Sequence, residues 1–181
     1  MHSVCLYCGS RPGTKPIYLE TAEAFGTALA QAGMRLVYGG GEVGLMGAAA
    51  SACMAAGGHV TGIIPQHIVD LEIKKGDVSA IFVTETMHER KKLMLYNADA
   101  VVALPGGPGT LDELIEVVTW RQLGLHAKPA VLVNVGGYWD PLLAMLAHIE
   151  AEGFCGPEVR GFLTVVDSAE AAVATLAEQL G

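Results

Sequence analysis

The sequence predicts an α/β fold: a Rossmann-like, doubly wound, mainly parallel sheet with helices on both faces, in a single domain spanning residues 1–181. Three observations predict it. Seven short strand-like runs alternate with helical patterns along the chain. Most of these runs are continuously apolar, as parallel strands covered on both faces must be. Glycine-rich loops follow three of them, where strand-to-helix turns of such a sheet would carry a ligand.

Taken in order, the first strand falls on Val4–Cys8, and the first helix on Pro16–Ala32. Pro16 suits the opening turn of that helix and Gly33 its end. Strand Arg35–Tyr38 leads to helix Leu45–Ala56, which Gly57 ends, and strand His59–Ile64 follows. Strand Ala80–Val83 leads to helix Met87–Ala98, and strand Ala100–Leu104 to helix Leu111–Leu123, closed by Gly124. The last units are strand Ala130–Val135 with helix Pro141–Ala151, then strand Leu163–Val166 with helix Ala169–Leu180. Gly153 stands at the end of the former helix, and Ser168 is placed to cap the latter.

The chain has 181 residues, 51% apolar and 17% charged, which excludes a disordered segment. At this length a domain buries about two-thirds of its unfolded surface. Lys plus Arg number 11 against 19 Asp plus Glu, a net charge of −8. No basic stripe is present, so a nucleic-acid polymer is not an expected partner. A small anion remains one, because backbone N–H groups and one or two cations can bind it locally. The longest uncharged stretch, Val43 to Gln66, is broken by Gly57-Gly58, His59 and Pro65 and is not a membrane span. With no basic leader at Met1–Cys5, the expected location is the cytoplasm. Cys5, Cys8, Cys53 and Cys155 read as unpaired, and Cys5-x-x-Cys8 lacks the second pair a zinc site wants. No metal is expected. His88, His126 and His148 read as polar helix or surface positions, and Trp120 and Trp139 as packing residues.

Chemistry concentrates in three loops and one helix start. Gly9-Ser10-Arg11-Pro12-Gly13 is a glycine-rich turn with a hydroxyl and a cation. Gly39-x-Gly41-x-x-Gly44 matches the dinucleotide fingerprint by spacing. It follows the second strand rather than the first, and no acid stands at the end of the next strand, so a nicotinamide cofactor is disfavoured. The third loop, Pro105-Gly106-Gly107-Pro108-Gly109-Thr110, leads directly into a helix. Its N–H groups and the helix N-terminus form a phosphate cradle. No Lys-Ser/Thr follows the last glycine, which argues against a nucleoside triphosphatase.

Thr110-x-x-Glu113 has the spacing of a capping box, and spacing alone favours that reading. The neighbouring Asp112 puts a second carboxylate beside a loop suited to an anion; a catalytic carboxylate near a bound phosphate ester is the competing reading. Thr86-x-x-Glu89 is another capping box by spacing. Arg90 and Lys91 follow it, where cations oppose the helix dipole unless an anion neutralises them. Arg suits a phosphate or carboxylate bidentately.

Together these residues resemble the Lonely Guy family, the cytokinin riboside 5′-monophosphate phosphoribohydrolases. The resemblance runs over nearly the whole chain. It rests on Cys8-Gly9-Ser10, the Gly39–Gly47 loop, Met87-His88-Glu89-Arg90-Lys91, and Pro105-Gly106-Gly107-x-Gly109-Thr110-x-x-Glu113. It implies a Rossmann-like homodimer that hydrolyses the N-glycosidic bond of adenosine-type 5′-monophosphates, giving free base and ribose 5-phosphate without a cofactor. It implies Arg90 and Glu113 as the catalytic pair. It places Lys91, the loop residues Gly107, Pro108, Gly109, Thr110, Leu111 and Asp112, and Glu72, Thr119, Ser10 and Gly41 on the nucleotide. Pro108 stands where a bulkier residue is expected. Glu113 would stabilise an oxocarbenium-like sugar, activate water, or both. Arg90 would hold the phosphate or ribose, or stabilise the departing base. Two other readings follow from the resemblance. Related Rossmann-like proteins resemble molybdenum-cofactor carriers, which would make the chain a non-catalytic carrier of an anionic cofactor. The family has also carried the label lysine decarboxylase, a chemistry that needs pyridoxal phosphate on a Schiff-base lysine.

Overall fold

The structure is a computed structural model that describes residues 1–69 and 78–181. One parallel sheet organises it. Its strands are β1 (Ser3–Tyr7), β2 (Arg35–Tyr38), β3 (Val60–Pro65), β4 (Ala80–Thr84), β5 (Ala100–Ala103), β6 (Ala130–Val133) and β7 (Leu163–Val166). The spatial order is β4-β3-β2-β1-β5-β6-β7, every neighbouring pair parallel. All seven predicted strands are present.

The helices are α1 (Pro16–Gln31), α2 (Gly44–Ala55), α3 (Gln66–Val69), α4 (Met87–Tyr96), α5 (Pro108–Gln122), α6 (Asp140–Ala151) and α7 (Ala169–Leu180). The short α3 follows β3 directly and was not expected from the sequence. Strand alternation explains the two cores. Val4 and Leu6 of β1, with Cys8 just beyond it, face Phe25 and Leu29 of α1, Ala49 and Cys53 of α2, and Leu176 of α7. Cys5 and Tyr7 face Met94 of α4, Leu114 and Val117 of α5, and Leu146 of α6. Both faces are covered over the central strands, which is why these read as largely apolar runs, whereas the edge strands β4 and β7 leave Phe82, Val83 and Val165 exposed. Gly33, Gly57, Gly124 and Gly153, expected just past helix ends, all adopt positive φ. Ser168 caps α7, its hydroxyl accepting from the Ala171 N–H at 3.3 Å.

The strand order reverses at β1. Chain direction carries β1 to β2 on one side and β5 to β6 on the other, so the carboxyl ends of β1, β2 and β5 open a crevice. Backbone bonds lock the loops around it: the Gly9 N–H donates to the Pro105 carbonyl at 3.0 Å, and the Leu45 N–H to the Gly9 carbonyl at 3.0 Å. Gly44 meets the first loop so closely that a Cβ there would lie 2.3 Å from the Ser10 carbonyl carbon. Its positive φ of 65° adds a second reason for glycine. No helix among the described residues is long and apolar enough to cross a membrane.

Candidate active site

The crevice holds a cavity of about 270 Å³ lined by Ser10, Gly39, Gly41, Arg90, Gly107, Pro108, Gly109, Thr110, Asp112 and Glu113, with Cys8, Val43, Met46, Ile68 and Met87 completing it. One end is built by α5. The helix starts at Pro108 with Gly107 as N-cap, and Leu111 is the first residue whose N–H bonds back inside it, to the Gly107 carbonyl at 3.1 Å. The N–H groups of Gly109 and Thr110 therefore have no partner within the helix. With the positive end of the helix dipole they form an anion cradle. Gly106 shapes the approach: a Cβ there would sit 2.1 Å from Thr110 Oγ1 and 2.9 Å from the Gly9 nitrogen. The Tyr138 hydroxyl pins the same loop, donating to the Gly106 carbonyl at 2.6 Å.

The two capping-box spacings have opposite outcomes. Thr86 and Glu89 form the box: the Glu89 N–H donates to Thr86 Oγ1, and Glu89 accepts from the Thr86 N–H. Thr110 and Glu113 do not. Pro108, pre-set for the first helical position, starts α5 before Thr110, so Glu113 lies well inside the helix. Glu113 is 7% exposed, and its carboxylate faces Arg90 instead.

Arg90 is itself 7% exposed. Its Nη1 lies 3.4 Å from Glu113 Oε1. Nε donates to the Ile63 carbonyl at 3.2 Å and Nη2 to the Gly39 carbonyl at 3.3 Å. Burial pushes the Glu113 carboxyl up from 4.5 to about 7, against the opposing pull of the Arg90 guanidinium; Asp112 adds to the rise, Lys91 opposes it, and Glu116 adds again. A carboxyl poised near neutrality suits proton transfer at the pH of a cell.

Lys91 leaves the cavity. Its ammonium sits between Asp112 Oδ2 at 2.9 Å and Glu116 Oε2 at 3.0 Å. Burial pulls its pKa down, but the hydrogen bonds from Asp112 and Glu116 outweigh this and hold it above the ordinary lysine value. Lys91 thus orders the first turns of α5 from behind rather than lining the pocket. Leu111 and Thr119 lie on the exposed side of α5, in a shallow groove with Ile115 and Trp120, and do not reach this chain's cavity. Glu72 lies outside the described residues.

Several lining residues were not singled out by the sequence, although Val43, Met46 and Met87 lie within its motifs. Val43, Met46, Ile68 and Met87 come from the starts of α2 and α4 and from α3, and form an apolar wall that exists only where these separate elements converge. Tyr138 follows the Gly136-Gly137 turn and was equally unmarked. His126, expected at the surface, is half-buried, its Nε2 2.9 Å from the Val117 carbonyl. Burial lowers its pKa. Among the described residues, no group of three His, Cys, Asp or Glu side chains is placed to hold a metal.

Fold and site together define an α/β protein with an open helix N-terminus suited to an anion and a buried arginine–carboxylate pair beside it. Residues 46–176 match the protein family described as "Possible lysine decarboxylase". The chain is 43% identical over 175 residues to the cytokinin riboside 5′-monophosphate phosphoribohydrolase LOG of Oryza sativa subsp. japonica, covering 97% of this chain and 72% of that protein. It is also 43% identical to the cytokinin riboside 5′-monophosphate phosphoribohydrolase of Rhodococcoides fascians, over 96% of this chain and 88% of the relative. The chain belongs to this family, the Lonely Guy family. The molybdenum cofactor carrier protein of Chlamydomonas reinhardtii superposes with a TM-score of 0.77 at 22% identity, covering 99% of this chain and 98% of the other, which shows a shared fold.

The family description's decarboxylase chemistry does not fit the described lysines. A Schiff-base lysine must lose its proton easily. Lys91 is held charged by two carboxylates; burial lowers the Lys128 pKa, but Lys128 lies outside the cavity with its ammonium bonded to the Leu95 and Ala98 carbonyls. Lys15 and Lys92 are exposed and outside the cavity.

Proposed function

We propose that this protein hydrolyses the N-glycosidic bond of adenosine-type nucleoside 5′-monophosphates, N6-substituted ones included, to free base and ribose 5-phosphate. The buried Arg90–Glu113 pair beside the anion cradle of α5 carries the reading. The 5′-phosphate sits on the Gly109 and Thr110 N–H groups, with Ser10 across the cavity. Its charge anchors the ribose so that C1′ meets the Arg90–Glu113 pair. As the C1′–N bond lengthens, positive charge develops on the sugar. Ionised Glu113 stabilises that charge and accepts a proton from the attacking water as the water oxygen bonds to C1′. The base departs with the C1′–N electron pair and takes up a proton from solvent, and Glu113 then returns its own proton to solvent. Arg90 keeps the carboxylate oriented and counters its tendency to protonate.

The base lies against Val43, Met46, Ile68 and Met87, a wall suited to an apolar N6 substituent. The test is incubation with AMP and with N6-isopentenyl-AMP, followed by assay of free base and ribose 5-phosphate. Equimolar products are expected, with the isopentenyl nucleotide turned over faster. Folded protein that releases neither base would overturn the reading.

The proposal includes a homodimer in the cytoplasm. Leu93 and Tyr96 of α4, and Leu111 of α5 with Leu123 and Leu125 just beyond it, are exposed at 38%, 62%, 39%, 67% and 64%. A two-fold contact would bury these groups and bring each Leu111 and Thr119 against a second copy. Light scattering is expected to give twice the 18.9 kDa chain mass. A monomer at assay concentration would sink this part. A cytoplasmic site fits four cysteines that are all unpaired.

A further inference from the structure

We infer that Gly39 is a positioning residue for the reaction: its missing side chain is the slot that the Arg90 guanidinium occupies, and its carbonyl, with that of Ile63, fixes the guanidinium against Glu113. A Cβ built on Gly39 would lie 1.8 Å from Arg90 Nη2, 3.0 Å from Cζ and 3.3 Å from Met46 Sδ. Gly39 does not adopt the left-handed conformation, so backbone dihedrals do not explain the glycine there. The nearest obstacle is the tip of a flexible side chain, not backbone. By contrast, a Cβ at Gly47 would lie 1.8 Å from the Glu42 carbonyl oxygen, and one at Gly26 would lie 2.1 Å from that of Ala49. Those two glycines serve the fold; Gly39 serves a side chain.

The three acceptors of Arg90 divide the work. Glu113 changes charge near neutrality, whereas the Gly39 and Ile63 carbonyls never do. Two of the three bonds therefore persist whether or not Glu113 holds a proton. The guanidinium stays in place through a catalytic cycle in which the carboxyl takes up and loses a proton. The ends of β2 and β3 thus supply a fixed seat for a cation whose partner titrates.

This inference rests on Arg90 and Glu113 as the reacting pair, and its test has a readout separate from turnover. The variant is Gly39→Ala, with Gly161→Ala, whose Cβ meets nothing, as control. The δ-carboxyl of Glu113 is followed by carbon NMR through a pH titration, its signal assigned with Glu113→Gln. The charged and titratable groups around that carboxyl are Arg90 and Lys91 from α4, Asp112 and Glu116 from α5, and Cys5, Tyr7 and Cys8 at β1. Displacing Arg90 removes the strongest of the influences that favour ionisation. In Gly39→Ala the titration midpoint is expected to rise by one unit or more and kcat to fall at least 10²-fold. The thermal midpoint is expected to stay near that of the wild type, and Gly161→Ala to match the wild type throughout.

The second arm is Arg90→Lys, which empties the slot. Adding Gly39→Ala to it is expected to change neither thermal midpoint nor carboxyl titration. An unmoved carboxyl in Gly39→Ala overturns the inference, as does an additive penalty in the double variant. If Gly39→Ala alone does not fold, a folded double variant supports the slot and an unfolded one refutes it. A moved carboxyl with unchanged kcat would leave the seat standing and overturn the role of the pair in catalysis.

Discussion

Glu113→Gln is expected to lower base release about 10³-fold and, at the same time, to make the protein more stable at pH 8. The first effect follows from removing the group that stabilises the sugar cation and activates water; positioned acid–base groups contribute about 10²–10⁴-fold. The second follows from burial. The folded-state pKa, about 7, lies above the ordinary glutamate value of 4.5. The native state therefore holds a proton that the unfolded chain has lost across that interval. Stability from this group is fully present below about 4.5 and is lost as pH rises through about 7. The interval corresponds to about 3 kcal/mol at most. Glutamine, neutral at every pH, escapes the loss while keeping an oxygen for Arg90. The urea midpoints of the two proteins are expected to coincide near pH 4 and to separate progressively up to pH 8, the variant being the more stable. A constant difference across that range would show that packing, not charge, decides the outcome. Gain of stability on loss of function would mark Glu113 as a residue kept for chemistry at a cost to the fold.

The contrast between the two capping-box spacings shows what the sequence could and could not reveal. Thr86-x-x-Glu89 and Thr110-x-x-Glu113 are the same local pattern, yet one caps a helix and the other supplies a buried carboxylate. The deciding residue was visible: Pro108 is suited to the first helical position and moves the helix start ahead of Thr110. The burial of Glu113 was not visible, because its partner Arg90 is 23 residues away and meets it only once β1 and β5 are adjacent. The strands were legible because both faces of the central sheet are covered and most strand positions are apolar. The apolar wall was not, since Val43, Met46, Ile68 and Met87 come from separate elements that converge at the carboxyl ends of the strands. Gly39 looked like one glycine in a loose fingerprint; only the position of Arg90 distinguishes it from its neighbours. Lys91 shows the reverse: adjacent to Arg90 in sequence, it points across to Asp112 and Glu116 rather than into the cavity.

The pH dependence of kcat/KM tests whether Glu113 acts in its ionised form. With a free-protein pKa of about 7, only about one carboxyl in 100 is ionised at pH 5. The rate at low nucleotide concentration is therefore expected to rise about 100-fold from pH 5 to pH 8 and to level above neutrality. The nucleotide phosphate also titrates, near pH 6, so a wild-type profile alone mixes two groups. Arg90→Met separates them. The substrate's titration is the same for both proteins, whereas the carboxyl loses its strongest ionising influence. Its inflection is expected to move upward, with kcat/KM at pH 7 lower by 10²-fold or more and partly recovered toward pH 9. An inflection that stays fixed would assign the titration to the nucleotide. A rate that falls from pH 5 to pH 8 would instead make the protonated carboxyl the active form, donating its proton to the departing base. In that case the same buried pair would still carry the reaction, with Arg90 stabilising the carboxylate after the proton has left rather than before the water arrives.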